Sequence, residues 1–340
     1  MPDPATSQVL TIALDTMGAD FSPKNEIAGA VETVKEAGSR LKILLIGRRS
    51  EVEAELAKHS YPAGSISVAD ASEVITMEDE PVAALRSKRD SSIVKGFEAL
   101  KSGAASAFVS AGNTGAVMGG ATLELGRIKG VTRPMIGAQF PRGDGSFTLV
   151  FDVGATVDAK AQWLKEYAIM GTIYAQGIFG IANPSVALLS VGEEEQKGNE
   201  LVFEATKLLK ETKVNFIGNV EGRDVLKNTA DIILCDGFTG NVILKFAESV
   251  LGALKQRIRD YAGKGFVSKL KAAVTASVLK ASLKDFDYQE HGGVPLLGVN
   301  GVVIIGHGSS SPKAIKNMIL RAEEMVRKDV TGTIRKALEQ

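Results

Sequence analysis

The chain has 340 residues, with 40 Lys and Arg balancing 40 Asp and Glu, so its formal net charge is zero. That length can bury the core of one large α/β domain or two closely joined ones, and the neutral balance argues against a nucleic-acid binder, which carries a basic excess. A single cysteine, Cys235, excludes an intramolecular disulfide and any CxxC metal site.

The first eight residues make a polar tail, too hydrophilic for a signal peptide. No uninterrupted apolar run reaches the ~18–20 residues that span a bilayer, so the expected location is the cytoplasm. Apolar runs of strand length follow over 9–14, 41–46, 107–110, 147–152, 186–190, 214–218, 232–235 and 302–305. Helical patterns lie between them over 23–37, 91–102, 160–176 and 199–212. This alternation predicts βαβ units and an α/β fold with a mostly parallel sheet covered on both faces. Residues 140–142 and 147–150, joined by Gly143-Asp144-Gly145, read instead as a hairpin. The 36 glycines are dispersed between apolar runs, which marks tight strand-to-helix turns rather than disorder. Neither an internal repeat nor a disordered linker is evident, so 1–340 is expected to form one domain. Cys235 ends an apolar run and reads as a buried strand thiol.

In such sheets ligands sit beyond the carboxyl ends of the strands. The loops there are polar and small: Asp15-Thr16-Met17-Gly18-Ala19-Asp20, Ser110 to Gly115, Ser190 to Asn199, Asp236 to Asn241, and Gly306 to Ser311. From these loops Asp15, Met17, Gly18, Asp236, Gly237 and Ser309 are candidate substrate contacts. The second loop opens a Gly-rich helix, and backbone N–H groups at a helix start hold oxyanions. Ser110, Gly112, Asn113, Thr114 and Gly115 are therefore candidate ligands for phosphate or another oxyanion.

Three cations, Arg86, Lys88 and Arg89, precede Ser91 at another helix start. They read either as an anion clamp, with Lys88 and Ser91 touching phosphate, or as a solvated turn with Asp90 or Ser91 as helix cap. Ser309 to Pro312 fit a helix cap equally well. Lys197 follows Glu193, Glu194 and Glu195 and is either a surface ion pair or a functional cation at a strand end. Asn241, ahead of Val242-Ile243-Leu244, is either an N-cap or a site donor. His307 follows a strand and is a candidate for the same crevice; His59 reads as solvent-facing. The chain lacks GxxxxGK[ST], GxSxG, HExxH and GxGxxG signatures, so a covalent Ser or Cys mechanism has no usual motif behind it.

Between Lys255 and Lys284 stand eight Lys or Arg and one acid, Asp260, about +7 by count within a neutral protein. Leu254, Ile258, Tyr261, Phe266, Val267, Leu270, Val274 and Val278 interleave with them. Residues 254–286 thus read as a basic amphipathic helical hairpin broken at Gly263-Lys264-Gly265. Phe266, Val267, Leu270, Lys264, Lys269 and Lys271 are its candidate membrane contacts; an ordinary surface helix pair, a subunit interface or an acidic-protein dock fits the same pattern.

The chain resembles the PlsX-type phosphate acyltransferases, the acyl carrier protein:phosphate transacylases of bacterial phospholipid synthesis. The resemblance lies in Ala13 to Asp20, Ser87 to Ser92, Val109 to Ala116, Leu125 to Gly130, Lys197 to Glu200, Asn215 to Asp224, Cys235 to Val242, and Gly292 to Ile304 with His307 to Ser310. Ala19 stands where the family usually has Gly, and His291 where Tyr is common. The resemblance implies a three-layer fold shared with phosphotransacetylases and isocitrate/isopropylmalate dehydrogenases. It implies transfer of a long-chain acyl group from acyl carrier protein to inorganic phosphate, forming acyl phosphate, without an organic cofactor or metal. It also implies a homodimer peripherally bound to the inner face of the cell membrane, with a glycerol-3-phosphate acyltransferase downstream.

Phosphate is itself a nucleophile, so no side chain need be acylated; binding it dry and aligned beside the thioester lowers the barrier. On this reading Lys197 and Asn241 polarise the thioester oxygen or leaving group. His307 protonates the departing thiolate. The alternatives are a short-chain acyl-CoA phosphotransacylase and a non-catalytic membrane scaffold for lipid-synthesis enzymes. A dehydrogenase of the same fold would need a nucleotide site and an Asp cluster for a metal, and the sequence offers neither.

Overall fold

The computed structural model describes residues 8–282, 288–290 and 292–339, so the start of the polar tail, residues 283–287 (the end of the 254–286 stretch among them) and His291 lie outside the described residues. The chain folds into two compact units. Met1–Gly137, Ile169–Asn183 and Tyr288–Gln340 form the first, and Ala138–Ala168 with Pro184–Asp287 form the second.

In chain order the elements are β1 (Leu10–Asp15), α1 (Lys24–Ala37), β2 (Leu41–Gly47), α2 (Arg49–Leu56), β3 (Ile66–Asp70), α3 (Pro81–Ser87), α4 (Ser92–Lys101), β4 (Ala107–Ser110), α5 (Thr114–Gly120) and β5 (Met135–Pro141). There follow β6 (Phe147–Phe151), α6 (Ala161–Phe179), β7 (Ser185–Ser190), α7 (Glu200–Lys210), β8 (Asn215–Glu221), β9 (Ile232–Leu234), α8 (Gly237–Ala262) and α9 (Phe266–Ser282). The chain ends with β10 (Val294–Leu297), β11 (Val302–Ile305), α10 (Pro312–Arg327) and α11 (Val330–Leu338).

In the first unit the strand order is β3-β2-β1-β4-β11-β10-β5. It is parallel except where β10 pairs antiparallel with β11 and β5. Ile12, Ala13 and Leu14 of β1 and Phe108 and Val109 of β4 are fully buried. Such unbroken apolar runs mark strands covered on both faces. The ring of Phe97 on α4 stands edge-on to Phe108, with centroids 4.9 Å apart, which locks that helix to β4. In the second unit β6, β9, β7 and β8 lie side by side and all parallel, with β8 at the edge. Buried Arg142 ties their starting ends together: its Nε donates to Thr148 (3.0 Å) and its guanidinium pairs with Asp231 (3.4 Å). Asp231 in turn accepts from the N–H and hydroxyl of Ser185.

The β5–β6 turn is closed by the Arg142 N–H on Ser146 O (2.8 Å), with the first strand lying earlier than 140–142, at Met135–Pro141. Two strands have no counterpart in the apolar runs. β3 is short and only partly buried at a sheet edge, and β10 contains Pro295, which supplies no N–H. α8 begins well before the basic stretch, at Gly237, and reaches α9 across Gly263–Gly265. On α9, Phe266 is 85% exposed and Val267, Leu270, Val274 and Val278 are each more than half exposed. Among the described residues, no helix is long and apolar enough to cross a membrane.

Candidate active site

In the first unit β1 and β4 are neighbours, and their carboxyl ends bring Asp15 to Ser110. The Ser110 hydroxyl donates to Asp15 Oδ2 (2.7 Å) and accepts the N–H of Gly112 (3.1 Å), while Asp15 Oδ1 accepts the N–H of Met17 (3.0 Å). One buried carboxyl thus fixes the start of both loops. Burial pushes Asp15 up to about 6, with hydrogen bonds from Ser92, Ser110 and Met17 opposing the rise. Close to it, Glu26 at the start of α1 is 1% exposed. Burial first, and the charge of Asp15 after it, push Glu26 up to about 7, and its Oε2 has no hydrogen-bond partner among the described residues.

Asn113 caps α5 by accepting the Ala116 N–H (3.0 Å), and its amide donates to the carbonyls of Thr76 (2.9 Å) and Asp79 (3.2 Å). The side chains of Ser110 and Asn113 therefore spend their hydrogen bonds on shaping the loop. The groups left to meet an anion are the exposed Thr114 hydroxyl and the first-turn N–H groups of Thr114 and Gly115, which have no intrahelical acceptor. Lys88 and Arg89 are committed to different acids, Lys88 to Asp79 (2.5 Å) and Arg89 to Glu124 (2.6 Å). Ser91 is fully buried and caps α4 through Val94 N–H (3.5 Å). The basic turn reads here as structural support for the 76–79 loop on which Asn113 leans.

The His307 loop is tied to both others. Gly306 N–H donates to Ser110 O (2.8 Å) and Asp20 N–H to Gly308 O (2.9 Å). His307 Nδ1 faces the Ser309 hydroxyl (2.8 Å) and accepts the Ser309 N–H (3.2 Å). A backbone N–H can only donate, so the neutral ring carries its proton on Nε2. The helix cap proposed for the serine run belongs to Ser311, on α10.

The second unit repeats the scheme at the ends of β6 and β9. Asp152, fully buried, accepts the N–H groups of Gly154 (3.2 Å), Ala155 (3.0 Å) and Thr156 (2.7 Å). Asp236 caps α8 by accepting the N–H (2.7 Å) and hydroxyl (2.9 Å) of Thr239. The two loops meet closely: Gly237 N–H donates to Thr156 O (2.8 Å), and a Cβ on Gly240 would fall 1.9 Å from Asp152 O. Asn241 is therefore not the N-cap, because Asp236 takes that place and the helix runs through Gly237 and Gly240. The exposed Asn241 side chain lies beside Gly154, whose Cβ would sit 3.6 Å from its Oδ1. Cys235 is buried, and burial pushes its thiol well up, which suits a core residue rather than a nucleophile.

Lys197 lies on the exposed turn after β7, and its ammonium has no carboxylate within ion-pair distance among the described residues. Its acidic neighbours are drawn elsewhere, Glu193 to Arg223 (3.4 Å) and Glu195 to Lys210. The surface ion pair that the sequence left open is thus not formed. Sequence reasoning passed over Glu26, Asp152 and Thr156. The signal for Asp152 was present, since Asp152-Val153-Gly154-Ala155 repeats the acid-then-glycine pattern of Asp15 to Ala19; Glu26, inside a helix pattern, carries no such mark.

A family model described as fatty acid synthesis protein matches residues 10–333. The chain belongs to that family. A phosphate acyltransferase from Halothermothrix orenii is 44% identical over 333 residues, covering 97% of this chain and 99% of the relative. One from Heliobacterium modesticaldum is 48% identical over 326 residues, covering 96% of each. Among solved structures, a phosphotransacetylase from Streptococcus pyogenes has a TM-score of 0.62 at 16% identity, covering 95% of this chain and 96% of its own. The EutD phosphotransacetylase from Staphylococcus aureus has a TM-score of 0.60 at 16% identity, covering 94% and 95%. These structures share the α/β fold with its mostly parallel sheet. The relatives match the chain nearly end to end, and the fatty acid synthesis family includes every loop described above.

Proposed function

We propose that this chain transfers a long-chain acyl group from acyl carrier protein to inorganic phosphate, releasing the carrier thiol and acyl phosphate. Acyl transfer to phosphate follows from membership of the family, whose full-length relatives are named for that reaction. The carrier-bound, long-chain donor is the finer part of the proposal. The observation that carries the mechanism is the unpaired Lys197 ammonium at a strand end, with Glu193 paired to Arg223 and Glu195 to Lys210.

In this mechanism a phosphate oxygen attacks the thioester carbonyl carbon, and the C–O bond forms as charge builds on the carbonyl oxygen. The first-turn N–H groups of Thr114 and Gly115 hold phosphate, on a loop shaped by Asp15, Ser110 and Asn113. Lys197 and the amide of Asn241 donate to the developing oxyanion, the place where donors act most strongly. Collapse breaks the C–S bond, and the thiolate takes its proton from Nε2 of His307 in its imidazolium form, whose Nδ1–H then donates to the Ser309 hydroxyl; the neutral ring left behind is reprotonated from solvent.

The exposed apolar residues of α9, flanked by Lys264, Lys269 and Lys271, support peripheral binding to an anionic membrane surface, where an acyl phosphate product would partition. On α8, Phe238, Val242, Phe246, Val250 and Leu254 are exposed at four-residue spacing, a continuous helical stripe that supports a homodimer contact.

The test compares kcat/KM for palmitoyl-acyl carrier protein, palmitoyl-CoA and acetyl-CoA at fixed phosphate. The proposal expects the carrier-bound donor to win by at least about tenfold, a difference worth about 1.4 kcal/mol. A preference for acetyl-CoA would make the chain a short-chain phosphotransacylase, and no turnover with any donor would leave a scaffold.

A further inference from the structure

The turn that carries Lys197 is held from outside by one side chain. Asn219, on β8, donates through Nδ2 to the carbonyl of Glu194 (3.1 Å) and to that of Lys197 (3.1 Å). The same two residues close the turn directly, Lys197 N–H donating to Glu194 O (2.9 Å), and the Ser190 hydroxyl adds a bond to Lys197 O (3.3 Å). A single amide therefore latches both ends of the turn to the neighbouring strand.

We propose that Asn219 is a positioning residue for Lys197, fixing the turn that aims its ammonium. The inference rests on the role given to Lys197 under the proposed function. Two features of Asn219 speak for positioning rather than packing. Both amide hydrogens are spent on carbonyls, which fixes the orientation of the group, and Oδ1 is left buried without a hydrogen-bond partner. An unpaired buried acceptor weakens a fold, so a side chain selected for stability alone would not carry one. The strand is also reshaped to present this residue. The β7–β8 register shifts between Val186 and Ala187, pairing Val186 with Phe216 and Ala187 with Gly218, so Ile217 is extra. Gly218 takes φ +101, a value open to glycine, and Ile217 is 46% exposed. Bulges of this kind at a sheet edge re-aim the next side chains. Here they leave Val220 in the core and turn Asn219 to the Lys197 loop.

Arg223, two positions past Glu221, works in the same sense by pairing with Glu221 (2.7 Å) and Glu193 (3.4 Å) and so keeping Glu193 from Lys197. Asn219 is the sharper test, because it touches the turn's backbone and leaves its charges unchanged.

The experiment compares wild type, Asn219→Leu, Lys197→Ala and the double variant by steady-state acyl transfer. It also measures the rate of acetic anhydride labelling at Lys197 against Lys160 in the same molecule, by mass spectrometry. The expected result is a kcat lowered at least tenfold in Asn219→Leu with the KM for phosphate within twofold. Lys197 labelling should change at least threefold relative to Lys160, and Asn219→Leu should have no further effect once Lys197 is alanine. Should the leucine variant fail to fold, Asn219→Ala removes both donors without adding charge and is read by the same criteria. An inactive Lys197→Ala alongside an Asn219 variant with normal kcat and labelling would overturn the inference. A Lys197→Ala enzyme with normal turnover would instead overturn the role of Lys197, and the labelling ratio would then report on the latch by itself.

Discussion

Asp15 and Glu26 are carboxyl groups kept where charge is costly, and that has a consequence for stability. Glu26 moves from an ordinary 4.5 to about 7 on folding, so the native state holds its proton more tightly than the unfolded chain. The stabilising share is full below about pH 4.5 and is lost as pH rises through about 7. That shift is worth roughly 3 kcal/mol at most, by the usual value of a pKa unit. Glu26→Gln, neutral at every pH, should therefore unfold at a higher temperature than wild type at pH 8 and lose less stability between pH 5 and 8, measured by calorimetry. Asp15 adds a fall of the same sign between its ordinary 3.8 and about 6, which the variant retains. An unchanged pH slope would show that Glu26 is charged in the folded protein. Lys197 is the opposite kind of residue, exposed and free of carboxylates, so its loss should spare the fold. Lys197→Ala is expected to lower kcat by about a hundredfold or more, the size found for removing one donor to a developing oxyanion, with the melting temperature unchanged. Near-normal turnover would remove it from the mechanism.

At the scale of elements, the second unit depends on two loops approaching without side chains between them. A methyl on Gly240 would overlap Asp152 O, and the helix start cannot move without giving up the Asp236 cap. Gly240→Ala should cost roughly 1–3 kcal/mol, the range for forced overpacking, and show as a lowered denaturant midpoint. A wild-type midpoint would mean that the loop yields. α9 supplies a separate prediction. Leu270→Glu, at a position more than half exposed, should leave activity on a soluble donor intact while cutting co-sedimentation with anionic phospholipid vesicles severalfold. Undiminished vesicle binding would place membrane contact elsewhere. The parallel strands were legible because a strand buried on both faces is a plain apolar run, as in 107–110 and 302–305. β3 and β10 were not, since one is a half-exposed edge and the other interrupts its own ladder with Pro295. The loops were legible as strand ends rich in Gly, Ser and Asp. What the chain order hid was who bonds to whom: that Ser110 serves Asp15, that Lys88 serves Asp79, and that Asn219, on a strand read only to Gly218, grips the Lys197 turn. Those are distances between segments remote in sequence, and composition does not encode them.

At the scale of the whole molecule, two α/β units each end their parallel strands in a buried aspartate that organises backbone N–H groups, Asp15 in one and Asp152 in the other. The apparatus is made of glycines, caps and main-chain donors, which suits a reaction whose nucleophile arrives already charged. The fatty acid synthesis family supplies the reaction class. The most direct measurement incubates the purified protein with palmitoyl-acyl carrier protein and radiolabelled inorganic phosphate, trapping acyl phosphate while counting free thiol. The account predicts label in acyl phosphate, one equivalent for each thiol released, and no release when phosphate is omitted. Thiol release that proceeds without phosphate and leaves no labelled acyl phosphate would contradict it.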